Sequence, residues 1–134
     1  MSESHVDVVR RIYADWERGR MAAGVELFDS EIVFQSYMPD ANEKLVAKGA
    51  HEIEAFMREF LRHWRDYRLV GEEFREIGED AVLVVGRQAA VGRTSGVAVE
   101  HPMCSVWTFS GGRVVGLVFD PDSRTALEAA GLPE

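Results

Sequence analysis

The hydrophobic periodicity of this 134-residue chain changes from helical to alternating after Trp64. Before that residue, apolar side chains recur every three or four positions, and after it they alternate with polar ones. Helical spacing places an apolar stripe along a helix, whereas alternation places apolar side chains on one face of a strand. The order of the two patterns therefore predicts helices followed by an antiparallel sheet, which is an α+β fold.

Two helices carry the clearest apolar stripes. The stripe of the first helix, which is expected to end near Gly19, consists of Val6, Val9, Ile12, Tyr13 and Trp16. The stripe of the long helix that follows Gly49 consists of Ile53, Phe56, Met57, Phe60, Leu61 and Trp64.

Shorter segments are predicted around these helices. Residues 21–28 are expected to form a short helix with Val25 and Phe28 in the core. Residues 32–37 are expected to form a strand, followed by a loop over residues 39–42.

The second half of the chain is predicted to be a four-stranded meander followed by a helix. Its strands are residues 67–77, 81–91, 97–109 and 114–119. The joins between the strands are short, polar and contain glycine, which is typical of hairpins. A terminal helix over residues 123–130 is expected, with Asp122 or Ser123 capping its start and Gly131 its end. A curled sheet covered by helices leaves room between them for a small molecule.

Composition limits the partners that this chain can bind. Its length matches one domain, which we expect to span residues 1–134. A net charge of −8 argues against nucleic acid and against a membrane surface. The one cysteine, Cys104, excludes an internal disulfide and a thiolate-rich metal site. The sequence shows no signal peptide and no membrane-spanning segment, so we expect a cytoplasmic protein. It shows no His/Asp/Glu cluster with the spacing of metal ligands and no glycine-rich phosphate loop, so we expect neither a metal nor another cofactor.

Four stretches of sequence carry a family resemblance. They are VVRRIYADWERGR with VELFDSEIVF, AKGAHEIEAFMREF, HPMCSVWTFSGGRVVGLVFD, and ALEAAGL. In order and spacing the chain resembles the SnoaL-like, ketosteroid-isomerase-like group of the nuclear-transport-factor-like superfamily. The resemblance implies a curved, cone-shaped antiparallel sheet capped by N-terminal helices (a cystatin-like α+β barrel), often homodimeric, with a terminal helix common in bacterial members. The superfamily includes isomerases, cyclases, epoxide hydrolases, dehydratases and non-catalytic binders, so function must be argued from the site.

The residues of steroid isomerases are not retained. Those enzymes use a base carboxylate at the end of the first strand, a tyrosine on the first helix and a protonated aspartate in the later hairpin. The base position falls here at Ser36 or Tyr37, and the aspartate position at about Ser105. The tyrosine position falls at Ile12, one step from Tyr13. The sequence therefore argues against a steroid-type isomerase.

Two residues are candidates for proton transfer. Asp120 is the nearest match to the acid/base carboxylate of SnoaL-type cyclases, although it can equally belong to the turn before the terminal helix. His101 lies on the strand face that the resemblance directs to the concave side, where it can act as a base or donate a hydrogen bond to a carbonyl. A bulge at Pro102 would instead turn His101 towards solvent.

Arg87 offers a different chemistry. With Asp120 and Asp15 it could imitate the Asp-Arg-Asp cluster of epoxide hydrolases of this fold. The simpler interpretation is an exposed Arg87 on the outer face of the sheet. Gln88 has the opposite parity, so only one of the two side chains is expected to face inward.

A mainly aromatic set of residues is expected to line the cavity, although plain core packing explains most of them as well. The predicted ligand-binding residues are Tyr13, Trp16, Phe34, Phe56, Phe60, Met103, Ser105 and Trp107. Two kinds of function stay open. One is a cofactor-independent acid/base isomerase, cyclase or lyase that acts on a small apolar substrate. The other is a non-catalytic ligand-binding or dimerisation module.

The outer face of the sheet is predicted to be apolar. Cys104, Val106 and Thr108 have the parity of that face. Because a monomer would leave an apolar patch exposed there, we predict a homodimer that packs through the outer sheet face.

Overall fold

Three helices and a six-stranded sheet form the part of the chain that the computed structural model describes, residues 4–38 and 43–133. The helices are α1 (His5–Glu17), α2 (Gly49–His63) and α3 (Ser123–Ala129). The strands are β1 (Phe28–Met38), β2 (Glu43–Lys48), β3 (Trp64–Ile77), β4 (Ala81–Gly92), β5 (Ala98–Ser110) and β6 (Arg113–Asp120). The strand order is β2-β1-β6-β5-β4-β3, and β1 and β6 are the parallel neighbours in this otherwise antiparallel sheet. The predicted α+β class and the meander of the last four strands are confirmed.

The sheet is strongly curved but does not close, and its edges are β2 and β3. The pairing of β3 with β4 shifts register twice, once after Arg65 and once after Gly71. Such irregularities bend a strand and increase its twist. At the second of them β3 comes so close to β4 that a Cβ atom on Gly86 would lie 1.9 Å from the carbonyl oxygen of Val70. Glycine at this position therefore permits the bend.

The concave face of the sheet carries the main core. From α1, the side chains of Val9, Ile12 and Tyr13 are buried against it, as the helical stripe predicts. Helix α2 covers the β1 side of the sheet, but of its stripe only Ile53 is fully buried. The other apolar side chains of this stripe on α2, Phe56, Met57, Phe60 and Leu61, are half-buried, which leaves space between the helix and the sheet.

Helix α3 covers part of the convex face. Its residues Ala126 and Leu127 pack against Cys104, Val106 and other buried side chains of the sheet. Asp122 caps the helix by accepting a hydrogen bond from the backbone N–H of Thr125, 3.2 Å away. Because α3 already buries Cys104 and Val106, these residues do not form the exposed patch from which the homodimer was predicted. Association into a dimer stays a prediction.

The segment between α1 and β1 differs from the prediction. Residues 21–24 form turns and Val25–Leu27 a single 3₁₀ turn, so the expected helix over 21–28 is wrong. Gly24 adopts φ +90°, a conformation that stops a helix from continuing. Phe28 is buried as expected, whereas Val25 is 43% exposed. Strand β2 was not predicted, and the loop predicted over residues 39–42 lies outside the described residues.

Candidate functional site

A cavity of about 810 Å³ lies between α2 and the concave face of the sheet. Its apolar walls include Phe34, Ile53, Phe56, Met57, Phe60, Leu61, Leu69, Ala90, Met103, Leu117 and Phe119. The exposed lining residues Val25, Glu54 and Arg58 mark its mouth. The half-buried stripe of α2 is thus explained, because these side chains face the cavity rather than a filled core.

One wall of the cavity carries a chain of three polar side chains. The Tyr67 hydroxyl donates to Oε1 of Gln88, 2.9 Å away. Nε2 of Gln88 lies 2.5 Å from Nε2 of His101. All three residues line the cavity, and burial raises the pKa of Tyr67 far above its usual value, so its hydroxyl keeps its proton. The chain places hydrogen-bonding groups in largely apolar surroundings.

The strand register explains why His101 reaches this wall. Residues of β4 and β5 pair without interruption from Ala81–Thr108 to Val91–Ala98, so there is no bulge against β4 at Pro102. The alternation of β5 is therefore preserved, and His101 lies on the same face as buried Met103. Gln88 is the direct partner of His101 across the two strands.

Tyr13, Ser105 and Trp107 form a separate buried cluster. The oxygens of Tyr13 and Ser105 are 2.6 Å apart, and the indole N–H of Trp107 donates to the same Ser105 oxygen at 3.0 Å. Desolvation raises the pKa of Tyr13 well above its usual value. None of these three residues is among those that line the cavity. Their polar atoms bond one another within the core and do not face a ligand in the cavity.

The structure does not bring Asp120 to the cavity. Asp120 pairs with Cys104, which belongs to the convex cluster, and its side chain is buried. Its Oδ1 accepts the backbone N–H of Asp122 at 2.9 Å, in the turn that precedes α3. This is the turn role that the sequence left open, and in that position the carboxylate does not reach a ligand in the cavity.

Arg87 lies on the outer face of the sheet. It is exposed and pairs with Glu100 at 2.7 Å and with Glu72 at 3.3 Å, which raises its pKa. Asp15 pairs instead with Arg20 at 3.5 Å. The three residues of the epoxide-hydrolase-like cluster therefore do not converge, and Gln88 is the member of the Arg87–Gln88 pair that faces inward.

The cavity thus brings together six of the ten residues that the sequence singled out. They are Trp16, Phe34, Phe56, Phe60, His101 and Met103. Sequence reasoning missed Tyr67, although its position two residues before Leu69 on an alternating strand directs it to the same face. It also gave Gln88 no role, although the parity argument already turned that side chain inward.

The described residues contain no group of three side chains suited to hold a metal ion. Within residues 4–38 and 43–133, no helix has the length and apolar character to cross a bilayer.

The family is decided by a match of residues 9–117 to the model of the SnoaL-like domain. The chain belongs to the SnoaL-like family. The match spans α1, α2 and most of the sheet, and no curated protein matches the sequence.

Solved structures share the whole SnoaL-like fold at low sequence identity. An NTF2-like protein of unknown function from Burkholderia pseudomallei is 21% identical, with a TM-score of 0.77, and the alignment covers 95% of this chain and 97% of that one. An NTF2-like protein from Burkholderia thailandensis is also 21% identical, with a TM-score of 0.78 and coverage of 98% and 100%. A candidate polyketide cyclase from Xanthomonas campestris is 13% identical, with a TM-score of 0.71 and coverage of 84% and 86%. At these identities the likeness shows the fold, not the reaction.

In this SnoaL-like domain, neutral hydroxyl groups are present at the positions that the sequence resemblance matches to the carboxyl groups of steroid isomerases. Ser36 is buried and lines the cavity beside Tyr37. Ser105 lies in the buried cluster described above. A serine hydroxyl is too weak a base to remove a proton from carbon without help. Neither serine therefore supplies a base to the cavity, whereas His101 places an imidazole at its wall.

Proposed function

We propose that this SnoaL-like protein binds a small, largely apolar molecule with one polar group in the cavity beneath α2. The observation that carries the proposal is a cavity of about 810 Å³ whose apolar walls are interrupted on one side by Tyr67, Gln88 and His101. Cavities of roughly 300–1,000 Å³ with apolar walls and a few polar groups are typical sites for small molecules.

The half-buried side chains of α2 support the same proposal. Phe56 and Phe60 are aromatic neighbours with ring centroids 6.1 Å apart, and Phe60 also contacts Tyr67 edge-on at 5.1 Å. These rings present flat apolar surface to the cavity. A ligand that covers them removes apolar area from water, at a gain of roughly 25 cal/mol per Å².

Fluorescence titration with the neutral dye 6-propionyl-2-(dimethylamino)naphthalene tests the proposal, because the emission of this dye shifts to shorter wavelength in apolar surroundings. Ala90→Phe puts a phenyl ring into the cavity wall. Ala55→Phe adds the same ring to an exposed position of α2 that does not line the cavity, and serves as the matched control.

We expect the wild-type protein and Ala55→Phe to bind the dye equally, and Ala90→Phe to bind it at least about tenfold more weakly, a loss of about 1.4 kcal/mol. Equal affinity in all three proteins would place the dye outside the cavity and contradict the proposal.

A second candidate is a cofactor-independent isomerase, cyclase or lyase that moves a proton. The observation in its favour is the imidazole of His101 at the wall of an apolar cavity, where a polar contact to a reacting group is strong. Candidate polyketide cyclases and a candidate hydroxylase among the neighbours of the same fold are compatible with such chemistry.

Exchange of the methyl protons of 2-acetylnaphthalene in D₂O, followed by NMR, tests this candidate. Enzymatic enolisation would replace these protons with deuterium faster than the buffer does, and His101→Phe would abolish the excess rate. Exchange at the buffer rate with the ketone bound would leave this protein a binder rather than an enzyme on such a substrate.

A further inference from the structure

We propose that Gln88 holds His101 in the tautomer with its proton on Nδ1, so that the cavity selects ligands with a hydrogen-bond acceptor such as a ketone oxygen. The proposal rests on the proposed binding function and names the polar group that the ligand must carry.

The register of three neighbouring strands builds the arrangement. Gln88 on β4 pairs directly with His101 on β5 and with Leu69 on β3. Tyr67 lies two residues before Leu69, and both side chains line the cavity. The three polar side chains therefore lie side by side on the concave face of the sheet. The hydrogen bond between Tyr67 and Gln88 determines which atom Gln88 offers to His101.

Tyr67 sets the orientation of the Gln88 amide. Tyr67 is half-buried at the cavity wall, and desolvation raises the pKa of Tyr67, so the phenol proton stays on the oxygen. Among the described residues, Oε1 of Gln88 is the acceptor that the structure provides for this proton. Reversing the amide would leave the phenol proton without a partner, at a cost of about 1–3 kcal/mol. The oxygen of Gln88 therefore faces Tyr67.

Gln88 in turn sets the tautomer of His101. With Oε1 turned to Tyr67, the NH₂ group of Gln88 faces Nε2 of His101 at 2.5 Å. An amide nitrogen donates but does not accept, so Nε2 must offer its lone pair, and a neutral imidazole then carries its proton on Nδ1. An unconstrained imidazole favours the proton on Nε2, so the hydrogen bond from Gln88 reverses the ordinary preference.

Nδ1 is the ring nitrogen left for a ligand. Within the described part of the chain, Gln88 is the one hydrogen-bonding partner of His101, which is half-buried and lines the cavity. A protonated Nδ1 donates a hydrogen bond, and the matching group is an acceptor oxygen. Donation to a carbonyl from a neutral imidazole polarises the C=O bond and stabilises negative charge on its oxygen. In this arrangement His101 contacts the ligand as a donor rather than as a base, and Gln88 is a positioning residue.

The ¹⁵N chemical shifts of the imidazole rings at neutral pH report the tautomer without any ligand. His101 is identified by the signals that disappear in His101→Phe, and the exposed His51 and His63 provide internal references. We expect Nε2 of His101 to resonate as an unprotonated nitrogen and Nδ1 as a protonated one. A protonated Nε2 in the wild-type protein would overturn the proposal.

The substitution Gln88→Glu should reverse the tautomer of His101. A carboxylate at this position accepts from Tyr67 and from His101, so Nε2 is expected to become protonated. Tyr67→Phe provides a second variant, in which the amide is free to turn and the Nδ1–H tautomer loses its dominance. An unchanged His101 spectrum in both folded variants would show that Gln88 does not position the ring.

A matched pair of ligands tests the selectivity. 2-Acetylnaphthalene and 2-ethylnaphthalene have nearly the same size, but only the ketone accepts a hydrogen bond. We expect the wild-type protein and the control His51→Phe to bind the ketone about tenfold more tightly than the hydrocarbon, and His101→Phe to bind the two about equally. Equal binding of the pair by the wild-type protein would overturn the selectivity and leave the proposed binding function standing. If neither compound binds, both fail, and the ¹⁵N spectrum still shows whether the tautomer was assigned correctly.

Discussion

At the scale of single residues, two tyrosine hydroxyl groups form side-chain hydrogen bonds inside the protein. Tyr13 bonds Ser105 in the core beneath the cavity, and Tyr67 bonds Gln88 at the cavity wall. Burial raises the pKa of both phenols above their ordinary value of about 10. The two residues have different consequences, since only Tyr67 orients a group that a ligand can reach.

The raised phenol pKa values predict a loss of stability in alkali. Above about pH 10 the unfolded chain releases the two protons while the folded protein still holds them. The stability they contribute is therefore complete below pH 10 and declines as pH rises towards their folded pKa values. Tyr13→Phe should make the decline in the free energy of unfolding shallower by about 1.4 kcal/mol per pH unit, measured by urea unfolding between pH 9 and 12.

A buried substitution that removes no titratable group provides the control. Phe109→Leu should lower the free energy of unfolding at every pH without changing the slope. If the free energy of unfolding of Tyr13→Phe declines with pH as steeply as that of the wild-type protein, the Tyr13 phenol has the same pKa in the folded and the unfolded state.

At this scale the sequence predicts the direction of a side chain correctly where strand alternation determines it. His101, Met103 and Gln88 face inward because the alternation of β4 and β5 is uninterrupted. The sequence left the role of Asp120 open. Its carboxylate accepts the backbone N–H of Asp122, in a turn whose geometry the residue types alone do not determine. The sequence predicts Tyr13 and Ser105 as ligand contacts, because the residue pattern does not reveal that their two hydroxyl groups bond each other.

At the scale of elements, the bend between β3 and β4 depends on Gly86. A methyl group there would approach the carbonyl oxygen of Val70 to 1.9 Å, a distance that only movement of the β3 backbone can relieve. We expect Gly86→Ala to lower the free energy of unfolding by about 3 kcal/mol or more, since overpacking costs roughly 1–3 kcal/mol even where side chains can adjust.

Gly116 on β6 is the matched control for this substitution. The nearest atom to a Cβ there is 3.5 Å away, which is an ordinary contact. Gly116→Ala should change the stability by no more than about 1 kcal/mol, measured by the same urea unfolding. Equal effects of the two substitutions would contradict the role assigned to Gly86.

Helix α3 shields the convex face, and Cys104 reports on this contact. The thiol is buried, and desolvation raises its pKa, so reaction with 5,5′-dithiobis(2-nitrobenzoic acid) requires α3 to open. Leu127→Ala removes buried contacts of α3 and should accelerate the reaction at least about tenfold, because such truncations cost about 2–5 kcal/mol. Glu128→Ala, an exposed change on the same helix, should leave the rate unchanged. An unchanged rate in Leu127→Ala would mean that α3 does not control access to the thiol.

The elements with long periodic patterns were predictable, and so was the short helix α3, because the capping residue Asp122 marks its start. Strand β2 and the segment over 21–28 were not. The stripes of α1 and α2 and the alternation of β3 to β6 extend over many residues, so a single mismatch does not hide them. Strand β2 has six residues, and its pairing with β1 comes from tertiary contact rather than from a local signal. The segment over 21–28 is also short, and Gly24 interrupts it at a positive φ that the pattern does not reveal.

At the scale of the whole molecule, the curved sheet and α2 enclose a space that neither would form alone. The sheet supplies Tyr67, Gln88 and His101 and part of the apolar wall. Helix α2 supplies Phe56 and Phe60 to the opposite wall. The sequence predicted a cavity in this place from the order of the elements. It did not predict which face α3 covers, because a short amphipathic helix fits either side of a curved sheet.

The predicted homodimer is checked by sedimentation at micromolar concentration, where a monomer would contradict it.

A crystal structure of the protein with 2-acetylnaphthalene tests most directly whether the cavity binds a ketone through His101. We expect electron density for the naphthalene rings between α2 and the sheet, against Phe56 and Phe60, with the ketone oxygen within about 3 Å of Nδ1 of His101. A cavity that stays empty while the ketone binds elsewhere, or rings in the cavity with the oxygen turned away from His101, would contradict it.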